Sequence, residues 1–321
     1  MSSTNILEIA PEGDVIFIAG TAERARRLRV SSHILSIASP VFRNMFSTKY
    51  SEGQGLSGDD PKEIPLPEDD PLALELFCAV THLQGKRVSE YSLSPALLRS
   101  YAILVDKYDA YWSVFQSLEL WFKDARLQWP PGAGRVILLD TAYILNDHRH
   151  FLEFSNLLMV MTPVGDGDEL LLHETLLPKT LLTMMIQRAQ TARQMIVEAI
   201  NKTLTWCIGG SMRGHDDDCK LCNWNLRHML ECLEEQKLWP PEMLPSAVAT
   251  CVLFATVAKD VTVVANDLAP CAYSECANDR TSLQLIRDAA KEANALCRGL
   301  CLDCFRAGEK MTDGSCRMQH D

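Results

Sequence analysis

The stretch RLRVSSHILSIASPVFRNMF, residues 27–46, predicts a β-strand followed by two short helices. Apolar and polar side chains alternate in its first residues, which is typical of a half-buried strand. Ser31 or Ser32 can cap a first helix, and Pro40 stands where a second helix can begin, because the first helical position needs no backbone N–H. Apolar residues after Pro40 recur at helical spacing: Val41, Phe42, Met45 and Phe46. We therefore expect a helical hairpin that follows directly on a strand.

The flanking sequence completes a small sheet. GDVIFIAG, residues 13–20, is a β-rich run bounded by glycines, and it predicts a hairpin with residues 27–30. KEIPLPED, residues 62–69, predicts an edge strand, because its prolines would interrupt the hydrogen bonding of a central one. The polar, glycine-rich residues 47–61 predict a mobile loop. Helical patterns follow over residues 70–85 and 94–126.

Composition restricts the classes of function. The 321 residues are 47% hydrophobic, which suits a globular protein, and carry a net charge of −11. That charge disfavours direct nucleic-acid binding, which uses basic surfaces. We expect neither a signal peptide nor a membrane span, because the start of the chain lacks the basic and apolar regions of a signal and no 18-residue apolar run occurs. The expected location is intracellular, in the cytoplasm, the nucleus or both.

The segment LQWPPGAGR, residues 127–135, predicts a linker because it combines two prolines with two glycines. Almost everything after it has helical spacing, including one long apolar stripe over residues 181–199. We therefore predict an α+β domain over residues 1–126 and an all-α domain over residues 127–321.

The order of these elements resembles a BTB/POZ domain, over roughly residues 10–122. Four groups of residues carry the resemblance: Asp14-Val15, His33, Ser39-Pro40-Val41-Phe42 and Asp106-Lys107-Tyr108. The remainder of the chain, with its cysteine-containing end, is similar to the C-terminal region of fungal BTB proteins. The resemblance implies an α+β BTB/POZ fold, a short β-sheet with helical hairpins, in front of the all-α domain.

The resemblance also implies a protein–protein interaction protein without catalytic activity. Members of the family dimerise through segments that correspond here to residues 1–10 and 32–46, so a homodimer is expected. Further protein partners are expected, and one alternative is a substrate adaptor that binds a cullin of a ubiquitin ligase. A nuclear co-repressor is a weaker option, because no array of DNA-binding fingers is present. An alternative from another class is a zinc-dependent or thiol enzyme.

His33 raises a separate question, because a single histidine at the start of an apolar helix can be catalytic, metal-binding or structural. The structural interpretation predicts a buried or half-buried His33 that fixes the junction between the strand and the helix. Asp14, on the preceding strand, is its expected partner.

Eleven of the twelve cysteines lie from Cys207 onward. Two Cys-x2-Cys pairs can together form a closed tetrahedral thiolate site for structural zinc: Cys219, Cys222, Cys301 and Cys304. Because 78 residues separate the pairs, such a Zn²⁺ site would clamp two distant helix ends. His215, Cys276 and Cys297 are substitute ligands. The alternative is that these cysteines are buried apolar side chains. A redox role is disfavoured by the all-α surroundings.

Overall fold

The computed structural model describes residues 6–21, 25–128, 133–161, 175–212, 230–231, 234, 279–308 and 316–318. The chain divides into two compact units. The first comprises Met1–Pro130 and Ile137–Asp147, and the second comprises Pro131–Val136 and His148–Asp321. The described residues form one four-stranded sheet and are otherwise mostly helical, so the architecture is mixed α/β. The domain boundary at residue 126 stays a prediction.

The first unit contains the sheet, in the order β1-β3-β2-β4. Strands β2 and β3 are antiparallel, with Phe17 opposite Leu28, and β1 and β4 add in parallel on either side. The predicted hairpin and the predicted edge position of the proline-containing strand are confirmed. The strands are β1 (Ile6–Glu8), β2 (Val15–Ala19), β3 (Arg26–Val30) and β4 (Lys62–Leu66).

Three helices of the first unit begin with the same signal, a capping side chain followed by proline. Ser39, Asp70 and Ser94 each accept a backbone N–H of the first turn, and the residue after each is proline. Residues 46–61 are irregular except for one 3₁₀ turn, Ser51–Gly53. The helices of the first unit are α1 (Ser32–Ala38), α2 (Pro40–Met45), α3 (Pro71–Thr81), α4 (Gly85–Ser89), α5 (Pro95–Lys107) and α6 (Tyr111–Gln128). The next helix, α7 (Ala133–Ile144), begins in the second unit and belongs to the first from Ile137 onward.

The start of α2 and the end of α5 meet in the core. Ser39 Oγ accepts the backbone N–H of Phe42 at 3.0 Å and donates to the carbonyl oxygen of Tyr108 at 2.5 Å. The rings of Phe42 and Tyr108 are stacked, with centroids 4.1 Å apart. Asp69 accepts hydrogen bonds from the Tyr108 hydroxyl at 2.5 Å and from Lys107 Nζ at 2.6 Å. The Ser39-Pro40 motif and the Lys107-Tyr108 motif therefore contact each other in the core.

The prediction for His33 is wrong, because its side chain is exposed. Asp14 instead accepts hydrogen bonds from the backbone N–H of Ser32 at 2.8 Å and from its hydroxyl at 2.6 Å. The histidine at the strand–helix junction is His82, which is buried at the end of α3. Its Nε2 accepts the backbone N–H of Ser31 at 3.0 Å. Sequence spacing gave no sign of this contact, because it joins residues that are far apart in the chain.

Since an amide N–H can only donate, Nε2 of His82 must be unprotonated to accept it. Its Nδ1 lies 2.8 Å from the carbonyl oxygen of Cys78, so Nδ1 carries the proton and donates. Burial lowers the pKa of His82, against an opposing effect of the bond to Cys78. The ring is thus a neutral bridge between α3 and the start of α1.

The second unit is helical in its described residues. Its helices are α8 (His148–Met161), α9 (Lys179–Met212), α10 (Asp279–Leu296) and α11 (Leu302–Ala307). Helix α9 packs against α8 and α10, and α11 packs against α8. The predicted stripe of α9 is buried at Leu181, Met185 and Ile196. None of the described helices is both long enough and apolar enough to span a membrane.

Two buried tyrosines give opposite predictions for the same substitution. Tyr108→Phe removes a donor to the buried carboxylate of Asp69 and should lower the free energy of unfolding by about 1–3 kcal/mol. Tyr101→Phe should leave it unchanged or raise it, because the buried Tyr101 hydroxyl finds no partner among the described residues. Urea denaturation of the full chain compares them, and equal losses for both variants would contradict this account.

The neutral His82 predicts a pH dependence. Well above pH 6.5 the ring is neutral in the folded and the unfolded chain and contributes no slope. As the pH falls through about 6.5, the unfolded chain binds a proton that folded His82 does not, so the free energy of unfolding should decrease as the pH decreases. His82→Gln should reduce this slope between pH 7.5 and 5.5 in denaturant titrations. His33→Gln, at an exposed position, is the matched control and should retain it; the same slope in both variants would exclude His82 as its origin.

Candidate metal centre

Three cysteine side chains converge in the second unit. The Sγ atoms of Cys301, Cys304 and Cys316 all lie within 4.8 Å of one another. Cys316 Sγ is 3.3 Å from Cys301 Sγ and 3.9 Å from Cys304 Sγ. This cluster can hold a metal ion.

The structure therefore brings together two of the four predicted ligands and adds one that the sequence analysis missed. Cys219 and Cys222 lie outside the described residues, as do the substitutes His215 and Cys276. Cys316 is separated from Cys304 by 11 residues and belongs to no Cys-x2-Cys pair, so a search for pairs passes over it. The sequence feature that could have identified Cys316 is its short separation from the Cys301–Cys304 pair along the chain.

The segment that precedes Cys301, residues 297–300, is hydrogen-bonded to α8. The backbone N–H of Leu300 donates to Ser155 Oγ at 2.7 Å, and Asn156 Nδ2 donates to the carbonyl oxygen of Cys297 at 2.7 Å. Gly299 lies so close to α8 that a Cβ there would be 1.9 Å from the carbonyl oxygen of Leu152. These contacts place the backbone at Cys301 before any metal binds.

The turn from Cys301 to Cys304 is built around the first sulfur. Burial raises the pKa of Cys301 to about 11, while hydrogen bonds from the backbone N–H groups of Cys304 and Asp303 act in the opposite direction. Those N–H groups point toward the sulfur and favour its thiolate form. A metal ion that replaces the thiol proton would therefore bind a sulfur that already accepts hydrogen bonds from two backbone N–H groups.

The third cysteine is positioned by its neighbour in the sequence. The backbone N–H of Arg317 donates to Asp303 at 2.8 Å, and its guanidinium forms further hydrogen bonds to the same carboxylate. The hydrogen bonds from Arg317 lower the pKa of Asp303 to about 2. The ion pair fixes the short 316–318 segment against α11, which brings the Cys316 sulfur to the other two.

The sulfur spacing suits a tetrahedral ion. With Zn–S bonds of about 2.3 Å, two thiolates of a tetrahedral site lie about 3.8 Å apart. The distances of 3.3 and 3.9 Å bracket that value. Three thiolates on short connections favour a soft or borderline cation such as zinc over a hard one such as magnesium.

Two other described cysteines fit the buried-thiol interpretation. Cys78 and Cys297 are fully buried, and neither belongs to the cluster. Burial raises the pKa of both thiols, to about 11 for Cys297. Cys297, one of the predicted substitute ligands, thus serves the packing of α10.

Comparison with protein-family models, with curated proteins and with solved structures finds no match for this chain.

The contact at Gly299 predicts a large effect of one added methyl group. Gly299→Ala should destabilise the second unit, because the new Cβ would overlap backbone of α8 that cannot move aside without disturbing the helix. A loss of about 1–3 kcal/mol is expected in denaturant titrations of the full chain. Gly85→Ala is the control, since a Cβ there meets nothing within 4 Å. Equal stability of the two variants would contradict the close packing of this segment.

Proposed function

We propose that this chain is an intracellular protein–protein interaction protein, in which a BTB/POZ-like first unit self-associates and presents a docking surface. No catalytic step is part of the proposal. The antiparallel β2–β3 hairpin, the parallel β4 and the hairpin α1–α2 support it, since they follow the order that the resemblance implies.

The observation that carries the proposal is apolar surface left exposed on α1 and α2. Leu35 and Phe42 are fully buried, whereas Ile37 is 67% exposed and Val41 is 36% exposed. Ile6 on the edge strand β1 is 38% exposed. All three exposed side chains belong to the two segments expected to form the dimer. Burying a side chain such as isoleucine contributes about 1.5–3 kcal/mol, so a second copy that covers them gains free energy.

Part of the predicted apolar stripe has a different role. Phe42 and Phe46 stack with Phe17 in the core of the first unit, at centroid distances of 5.5 and 6.4 Å. The proposed dimer surface is accordingly the side of the helical hairpin that carries Ile37 and Val41. The opposite side, with Phe42 and Phe46, packs on Phe17 within the first unit.

A second candidate function is docking of a cullin, as in a ubiquitin-ligase adaptor. Many BTB domains carry a Tyr-Thr-Gly-like turn near the region presented to a cullin, and this chain has VTHLQGKRV, residues 80–88, in that place, which counts against the adaptor. The exposure of Leu83 in this segment favours it, because an apolar residue that is 91% exposed can contact a partner. The φ of 58° at Leu83 follows directly on the end of α3 and is a conformation that often ends helices.

The proposal includes a structural Zn²⁺ in the second unit. A metal ion bound within the second unit would stabilise its helices without contributing to chemistry. A zinc-dependent enzyme remains the alternative from another class, and it would require an open coordination position for water.

Self-association predicts a defined mass. Light scattering after gel filtration at micromolar concentration should give about twice the chain mass of 35.9 kDa. Ile37→Asp should shift the protein toward the monomer, because it places a charge in the proposed interface. Leu285→Asp introduces the same charge at a half-exposed leucine of α10 and should leave the mass unchanged. A monomeric wild-type protein would exclude the dimer and leave partner docking as the function of the first unit.

A further inference from the structure

The cysteine cluster supplies three sulfurs among the described residues, and a closed zinc site needs a fourth ligand. We propose that His148, the first residue of α8, completes a Cys3His zinc site with Cys301, Cys304 and Cys316. This inference deepens the proposed structural zinc and replaces the clamp across 78 residues with a site made of two neighbouring helices and the 316–318 segment.

His148 lies on the face of α8 that contacts the cysteine turn. Residues three, four and seven positions after it are Phe151, Leu152 and Ser155, which share its side of the helix. Phe151 stacks with Phe305 of α11, Leu152 lies against Gly299, and Ser155 accepts from Leu300. The face that begins with His148 is thus the face onto which the cysteine turn is docked.

The ring of His148 is half-buried, so it has room to change rotamer. Its nitrogens do not belong to the group of ligand atoms that lie within 4.8 Å of one another, so a change of rotamer is needed to bring a ring nitrogen to the ion.

Three cysteines and one histidine form a common ligand set of structural zinc, in which no position is left for water. The ion would join the start of α8 to the start of α11 and to the segment held by Arg317. Phe151 of α8 stacks with Phe305 of α11, and Arg317 is hydrogen-bonded to Asp303, so the three elements are held next to one another by their own contacts.

Cobalt substitution of the full-length protein tests the ligand set. Co²⁺ absorbs in the visible range with bands that depend on the number of thiolates, and X-ray absorption of the zinc form reports the bonded distances. The expected result is one metal per chain, with three sulfur ligands at about 2.3 Å and one nitrogen at about 2.0–2.1 Å. His148→Gln should change the cobalt spectrum and lower zinc affinity at least tenfold.

Matched variants distinguish the alternatives. Cys316→Ser should abolish the three-sulfur signal, whereas the Cys219→Ser/Cys222→Ser double variant and His33→Gln should leave the spectrum unchanged. A four-sulfur spectrum that is lost in the double variant would overturn the proposal in favour of the long-range clamp. An unchanged spectrum in His148→Gln would overturn the role of His148 alone.

Metal-free protein after expression in zinc-supplemented medium and reconstitution would overturn the zinc site itself. The oligomeric mass is measured separately on the same samples, so the dimer proposal succeeds or fails independently of the ligand set.

Discussion

The first unit depends on the two hydrogen bonds of the Ser39 hydroxyl. It caps α2 by accepting from Phe42, and it also donates to the backbone of Tyr108, 69 residues further along the chain. The side chain of Tyr108 then reaches Asp69, directly before the Asp70 that caps α3. One serine therefore connects the start of α2 with the end of α5, and through Tyr108 with the start of α3. Because these groups are buried, loss of any one would leave an unsatisfied partner.

Local signals in the sequence account for most of the first unit. The capping residue followed by proline at Ser39, Asp70 and Ser94 marks three helix starts, and Pro65 in β4 indicates the edge position of that strand. These predictions succeed because capping and strand pairing depend on a few adjacent residues.

Contacts between distant residues were less accessible to the same reasoning. His33 was predicted at the junction because it is adjacent in sequence, but the acceptor for Ser31 comes from His82, 51 residues away. Cys316 was missed for a similar reason: its place in the cluster depends on the pairing of Arg317 with Asp303, which no spacing rule contains. For the junction and for the cluster, the sequence indicated the type of residue, a histidine and a cysteine. Tertiary packing determined which histidine and which cysteine take these positions.

The two edges of the sheet differ in their ability to accept another strand. On one side, β4 carries Pro65, which has no backbone N–H to offer to a neighbouring chain. On the other side, β1 begins at Ile6, the first residue that the structure describes, and contains no proline. An edge strand that lacks a donor resists the uncontrolled addition of further strands. The β4 edge of the first unit is thereby protected from aggregation through strand pairing.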